Sequence, residues 1–288
     1  MGTLCQFLFH ILIEFNVSDH SSEKPAPVIG VFDSGVGGLS VLRHIREQLP
    51  DANLLYFADS LHAPYGSKTS AYIIERARKI THFLLGQGAQ AIVVACNTAT
   101  AAAIKTLRQE FAVPVIGMEP AVKPAVAATR SGIVGVLATS GTLRSAQFAA
   151  LLESYGQHIK VETQACTGLV ERIEQGDLAS ATTRALVQQY VAPLIASGAD
   201  TIVLGCTHYP FVETLIAEIA GPEVVLIDTG EAVARQLCRR LHELTLPAEN
   251  PAQGTVVCWT NNDTPEGVVF IRQCIGGEVS VQKAPMDV

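Results

Sequence analysis

The chain has no cluster of lysine and arginine, few charged residues of either sign and few aromatics. Only 16% of its residues are charged and the formal net charge is −7. Neither a nucleic-acid surface nor an anionic membrane surface finds the basic patch it needs. An anionic small substrate would have to be met by local donors rather than by a global field. The seven cysteines, at 5, 96, 166, 206, 238, 258 and 274, are odd in number and form no C-x-x-C pair. This spacing fits neither a disulfide framework nor a zinc site, and it points to a reducing cytoplasm where single thiols are free for chemistry. The apolar stretch at residues 4–13 is about half of the roughly 20 residues that span a bilayer. No Lys or Arg precedes it and no small-residue cleavage site follows. Gln6 stands where myristoylation after Gly2 requires Ser or Thr. Residues 1–26 therefore read as an extension outside the catalytic fold, either regulatory or an upstream start.

What is present is apolar and small. Residues of the hydrophobic class make up 48% of the 288, with abundant alanine and glycine, a balance that suits close packing of helices on sheets. The length allows one large or two ordinary α/β domains. Val28-Ile-Gly-Val-Phe32 reads as a buried strand, followed by Asp33-Ser34-Gly35-Val36-Gly37-Gly38 and a helix with Leu39, Leu42, Ile45 and Leu49 on one face. Strands are expected at 53–58, 91–95 and 113–117, and a helix over 70–85 that ends at Gly86 to Gly88. Strands alternating with helices of this length predict a mostly parallel, doubly wound (flavodoxin-like) sheet.

The plan is then repeated. Ile133-Val-Gly135-Val-Leu137 runs into Ala138-Thr139-Ser140-Gly141-Thr142, echoing the first strand and its loop. Thr201-Ile-Val-Leu-Gly-Cys206-Thr207 echoes Ala91-Ile-Val-Val-Ala-Cys96-Asn97. The separations are similar: 66 residues from Gly30 to Cys96 and 71 from Gly135 to Cys206. Two echoes in one order indicate duplication. The expected architecture is two pseudo-symmetric α/β domains, 27–120 plus 231–288 and 121–230, with the active site between them.

Ligands of open parallel sheets bind beyond the carboxyl ends of the strands, where Cys96 and Cys206 both stand. A helix start and its amides are expected to lower a thiol's pKa. Two like groups aimed into one cleft suit inversion of a carbon centre, which needs a base on one face and an acid on the other. Cys5, Cys166, Cys238, Cys258 and Cys274 lack such a partner and read as structural. The Gly-rich loop is not a dinucleotide site, because G-x-G-x-x-G requires glycine where Ser40 stands. Asp33 suits a substrate ammonium group, whereas Ser34 and the loop amides suit a carboxylate. His208 can hold or receive the proton of its neighbour Cys206. Pro64-Tyr65-Gly66 reads as an ordinary polar turn, and Glu174 as a solvated carboxylate at a helix end.

Together the segments FDSGVGGLSV, APYG, VVACNTAT, ATSGT and VLGCTHYP resemble the glutamate racemases of the bacterial cell-wall pathway, within the aspartate/glutamate racemase superfamily. The resemblance spans roughly 27–240. It implies a soluble isomerase that interconverts L- and D-glutamate for peptidoglycan synthesis, without metal, pyridoxal phosphate or flavin. It implies that Cys96 takes the α-proton of the D-enantiomer and Cys206 that of the L-enantiomer. Asp33 and His208 then match assisting acid/base positions, and Glu174 a third. Ser34, Tyr65, Gly66, Asn97, Thr98, Thr139, Thr207 and His208 match substrate contacts, as does Asp33. The extension is like that of proteobacterial members activated by UDP-N-acetylmuramoyl-L-alanine. No nucleic acid or membrane partner is implied, and the chain is expected to act as a monomer or homodimer. The rival readings are a sibling racemase acting on aspartate or a hydantoin, and a non-catalytic protein that keeps the cleft as a binding site.

Overall fold

The computed structural model describes residues 26–156, 159–243, 254–276 and 279–288. Residues 1–25 of the expected extension, with Cys5, lie outside the described residues. The first lobe begins with β1 (Val28–Asp33), α1 (Leu39–Gln48), β2 (Asn53–Ala58), α2 (Ser70–Gly86), β3 (Ala91–Val94), α3 (Asn97–Glu110) and β4 (Val115–Ile116). The second comprises α4 (Val122–Ala128), β5 (Ile133–Ala138), α5 (Ser140–Leu143), α6 (Ala146–Tyr155), β6 (Lys160–Ala165), α7 (Leu169–Glu174), α8 (Ala181–Ala196), β7 (Thr201–Gly205), α9 (Glu213–Ala220) and β8 (Val225–Ile227). The chain then continues through α10 (Gly230–Glu243), β9 (Val256–Thr260), α11 (Pro265–Ile275) and β10 (Ser280–Lys283).

The strands form two sheets, in the orders β10-β9-β2-β1-β3-β4 and β6-β5-β7-β8, and every pair among the described residues is parallel. Parallel strands are covered on both faces, which is why β1, β3, β5 and β7 are near-continuous apolar runs rather than alternating ones. In β1, Ile29 and Val31 enter the core shared with α1 and α10, while Phe32 enters the one beneath α2 and α3. This is the doubly wound α/β class that the alternation of elements predicts. β4 is shorter than the expected 113–117, because Pro114 has no N–H to give to the ladder. After the second lobe the chain returns to the first. Val233, Ala234, Leu237 and Leu241 of α10 share a core with Leu42 and Ile45 of α1, and β9 pairs with β2.

The order β2-β1-β3-β4 is the order β6-β5-β7-β8, and the register agrees as well. Phe32 lies opposite Val94 in one sheet and Leu137 opposite Leu204 in the other. Cys96 and Cys206 each follow that pair by two residues, so the two backbones deliver them to equivalent strand ends.

The entry to β5 is pinned by Asp200, whose carboxylate accepts from the Thr129 hydroxyl (2.6 Å), the Arg130 and Ser131 amides (2.8 and 2.7 Å) and the Thr201 hydroxyl (3.1 Å). Burial works to raise this carboxyl's pKa, but the hydrogen bonds favour the charged form and hold it well below the usual range. A depressed folded-state pKa gives stability that is complete above the unfolded value of about 3.9 and is lost as pH falls through the folded value. Asp200→Ala should lower the unfolding free energy at neutral pH by about 1 kcal/mol, since solvent screens part of the interaction. In urea titrations, the gap between the two proteins should narrow as the pH is taken below about 4.

Candidate active site

At the end of β3, Cys96 is the N-cap of α3, and its Sγ accepts from the Ala99 amide at 3.4 Å. The same thiol lies 3.8 Å from the Ser34 hydroxyl, which donates to Asp33 Oδ1 at 2.8 Å. Asp33 Oδ1 also accepts from the Gly35 amide (3.1 Å), and Oδ2 accepts from the Thr207 hydroxyl of the second lobe (2.6 Å). A proton can thus pass between Cys96 and Asp33 by way of Ser34. Across the cleft, Cys206 Sγ lies 3.7 Å from His208 Nδ1, and His208 Nε2 is 2.6 Å from Glu174 Oε1. Glu174 also accepts from the Val36 amide (2.7 Å) and the Ser60 hydroxyl (2.9 Å).

These environments differ electrostatically. Burial pushes the Cys96 thiol well above its ordinary pKa, helped by the charge of Asp33, and the Ala99 amide only partly opposes it. The lowering expected from a helix start is therefore reversed: one amide does not repay the desolvation of a thiolate. Burial likewise raises Asp33, against the opposing pull of His208 and of the Thr207 and Ser34 hydroxyls. For His208, burial favours the neutral ring, but its bonds to Cys206 and Glu174 win and hold it well above the usual imidazole value.

One cavity between the lobes is lined by Ser34, Tyr65, Gly66, Cys96, Asn97 and Thr98 from the first and by Thr139, Cys206, Thr207 and His208 from the second. A more spacious groove on the far side of α3, toward α4, α6 and α10, is lined by no cysteine, so the chemistry belongs to the smaller cleft. Asn97 is buried, and neither atom of its amide has a protein partner. Leaving such groups unmade costs about 1–3 kcal/mol each, and a polar molecule in the cavity that Asn97 lines would satisfy them. Among the described residues, no group of three or more His, Cys, Asp or Glu is placed to hold a metal ion.

Asp33 is fully buried behind Ser34, outside the lining of the cavity, and meets Cys96 through Ser34. Two readings need correction. The amides of Gly35 and Val36 are taken by Asp33 and Glu174 and are not a carboxylate cradle. The loop glycines serve close approach instead: a Cβ on Gly35 would overlap the Glu174 carboxylate, and one on Gly37 the His208 ring. Glu174, which its local composition reads as solvated, ends α7 with its side chain 14% exposed and three protein partners. Thr142 and Val170 also line the cavity without having been singled out. The capping pattern locates Thr142, since its amide donates to the Thr139 hydroxyl at 3.2 Å one turn into α5. Val170 carries no local signal. Of the remaining thiols, Cys166 and Cys258 are buried, while Cys238 and Cys274 are partly exposed.

Two thiols facing one cavity from duplicated parallel sheets have the arrangement that proton transfer on opposite faces of a carbon requires. The sequence pattern of the Asp/Glu/Hydantoin racemase family matches residues 29–237, and the chain belongs to that family. It is 56% identical over 261 residues to the glutamate racemase of Ectopseudomonas mendocina, covering 90% of this chain and 98% of that one. A glutamate racemase isoform of Bacillus anthracis superposes with a TM-score of 0.83 at 32% identity, over 92% of this chain and 99% of the other. The Escherichia coli glutamate racemase, solved with L-glutamate and the activator UDP-MurNAc-Ala, gives a TM-score of 0.80 at 32% identity, over 90% and 98%.

Gly37→Ala should push the His208 ring off its position between Cys206 and Glu174. Displacements of about 1 Å cost on the order of 100-fold in rate, so racemase turnover should fall by about that factor while the circular dichroism spectrum stays native.

Proposed function

We propose that the chain interconverts L- and D-glutamate by moving the α-proton between Cys96 and Cys206, supplying D-glutamate for peptidoglycan synthesis in a reducing cytoplasm. The observation that carries this reading is that two thiols reach one cavity from equivalent ends of two sheets with the same strand order and register. The match to glutamate racemases over nearly the whole chain supplies the substrate.

In the L-to-D direction Cys206, as thiolate, takes the α-proton: the Cα–H bond breaks, an S–H bond forms, and the electron pair passes into the substrate carboxylate. The Cys96 thiol then protonates the opposite face of the carbon. In the D-to-L direction the two exchange roles. A thiolate is a modest base for so weak an acid, so fixed donors must stabilise the developing charge. Asn97 and the hydroxyls of Ser34, Thr98, Thr139 and Thr207 line the cavity and are the donors we assign to this task. Tyr65, Gly66 and His208 complete the contact surface. Asp33 acts on Cys96 through Ser34, His208 acts on Cys206, and Glu174 holds the imidazole charged. No cofactor takes part.

Cys96→Ser and Cys206→Ser should each abolish racemisation in both directions, followed by circular dichroism of either enantiomer, with folding intact. Robust turnover by either variant would overturn the assignment, and turnover of aspartate without glutamate would move the chain to a sibling activity. By likeness to the Escherichia coli enzyme, we also assign UDP-N-acetylmuramoyl-L-alanine as activator, acting through residues 1–26. Turnover of the full chain should rise when the precursor is added and that of a chain lacking 1–26 should not. An unchanged full chain would remove the idea.

A further inference from the structure

The turn that carries Tyr65 and Gly66 into the cavity is held from behind by a buried ion pair that does not itself touch the cavity. The Tyr65 hydroxyl donates to Asp59 Oδ2. The Arg76 guanidinium meets the same carboxylate with two nitrogens, Nε at 2.9 Å from Oδ2 and Nη2 at 2.5 Å from Oδ1. The Asn261 amide donates to Oδ1 at 2.6 Å, and its oxygen accepts from the Leu61 amide at 2.9 Å. Four donors from β2's loop, α2 and the segment after β9 therefore converge on one carboxylate, which fills its acceptor sites. Arg76 spends its remaining Nη1 on the Val288 carbonyl at 2.7 Å. Asp59 is fully buried and Arg76 nearly so, which leaves solvent no part in fixing the geometry.

The opposite side of the turn meets the second lobe. The Ser140 hydroxyl donates to the Gly66 carbonyl at 3.4 Å, and a Cβ on Gly66 would stand 3.0 Å from the Thr139 Cβ. The turn is thus the place where the first lobe presses on Thr139, and Thr139 shares hydrogen bonds with Thr98 (2.8 Å) and Thr142 (3.0 Å) inside the cavity. If Tyr65 moves outward, the contact with Thr139 opens and the donor cluster loosens. If it moves inward, Gly66 collides with Thr139.

Resting on the racemase reading, we propose that Asp59 and Arg76 are positioning residues for substrate binding. Through the Tyr65 hydroxyl they set the place of the Tyr65–Gly66 turn against Thr139, and so set the affinity of the cleft for glutamate. The fork of Arg76 is what the site needs, because the single nitrogen of a lysine cannot present two parallel N–H bonds to Asp59 while a third nitrogen reaches the Val288 carbonyl. A buried ion pair kept only for stability would be replaceable by apolar residues, but the Tyr65 hydroxyl would then lose its acceptor.

The test uses Tyr65→Phe, which keeps the ring and removes the hydrogen bond, and Arg76→Lys, which keeps the charge and removes the fork. Each should raise KM for both enantiomers about tenfold, the scale of a lost hydrogen bond to a charged group, with kcat changed by less than about threefold. The double variant should match the worse single one, because both changes release the same turn. Glutamate protection of Cys96 and Cys206 against iodoacetamide should require about tenfold more ligand in either variant, a readout that needs no turnover. A purely structural pair predicts instead a smaller active fraction with KM and half-protection unchanged, and that result would overturn the proposal. If the unaltered chain is protected by glutamate yet does not racemise it, the functional reading fails and the half-protection shift still decides the positioning role. Absence of any protection in the unaltered chain would defeat both. Should Arg76→Lys fail to fold, Tyr65→Phe alone carries the comparison.

Discussion

The lobes are fastened to one another by hydrogen bonds whose partners are the site's own side chains. The Thr207 hydroxyl reaches the buried Asp33 carboxylate at 2.6 Å, and the Ser40 hydroxyl donates to the Thr207 carbonyl at 3.0 Å. Glu174 spans the same boundary, taking the Val36 amide and the Ser60 hydroxyl from the first lobe while it holds His208 in the second. Asp33, Ser40, Thr207 and His208 are buried, so an unmade bond among them costs the desolvation of its partner. The bonds that join the lobes are the ones that hold the Asp33–Ser34 and Glu174–His208 pairs in place. That is why the loop between β1 and α1 must be glycine-rich: the side chains of Glu174 and His208 occupy the space that Cβ atoms would fill.

The backbones of the two halves are equivalent, but the surroundings of the two thiols are not. Cys96 caps a full helix and is backed by a hydroxyl and a buried carboxylate, whereas Cys206 precedes a short 3-10 turn, Tyr209–Val212, and is backed by an imidazole and a second carboxylate. One sulfur therefore faces a partner that burial drives toward its protonated, neutral form, and the other faces a partner held in its charged form. A reversible reaction needs one acid and one base at any moment. In the proposed reaction the direction of turnover sets which thiol is the base, and each is backed by its own polar pair, Ser34–Asp33 or His208–Glu174.

The parallel, doubly wound class and the equivalent strand-end positions of the two thiols are legible because both follow from backbone regularities. Apolar runs of strand length and repeated separations are local, and register then places Cys96 and Cys206 without further information. The roles of the glycine-loop amides were misread because their partners are distant: Val36 donates to a residue 138 positions away. Glu174 sits in Arg172-Ile-Glu-Gln-Gly176, a solvated helix end by composition, and only the fold brings Val36, Ser60 and His208 to it. Asp59 and Arg76 are 17 positions apart, outside any helical or strand period, and nothing in their neighbours marks them. The thiol's pKa was read from its helix start alone, and the sequence window contains no measure of the burial that outweighs it.

That burial bears on how a thiol raised in pKa can serve as a base at all. Burial disfavours a charge on Asp33 and on Cys96 alike, and the charge of Asp33 adds to the rise at Cys96. An amino acid brings its ammonium group into this space, and a nearby positive charge favours the ionised forms of thiol and carboxyl alike. Its own carboxylate is met by hydroxyl and amide dipoles, which stabilise charge without adding any. In the proposed reaction, a bound ammonium group therefore offsets part of the desolvation that raises the Cys96 thiol.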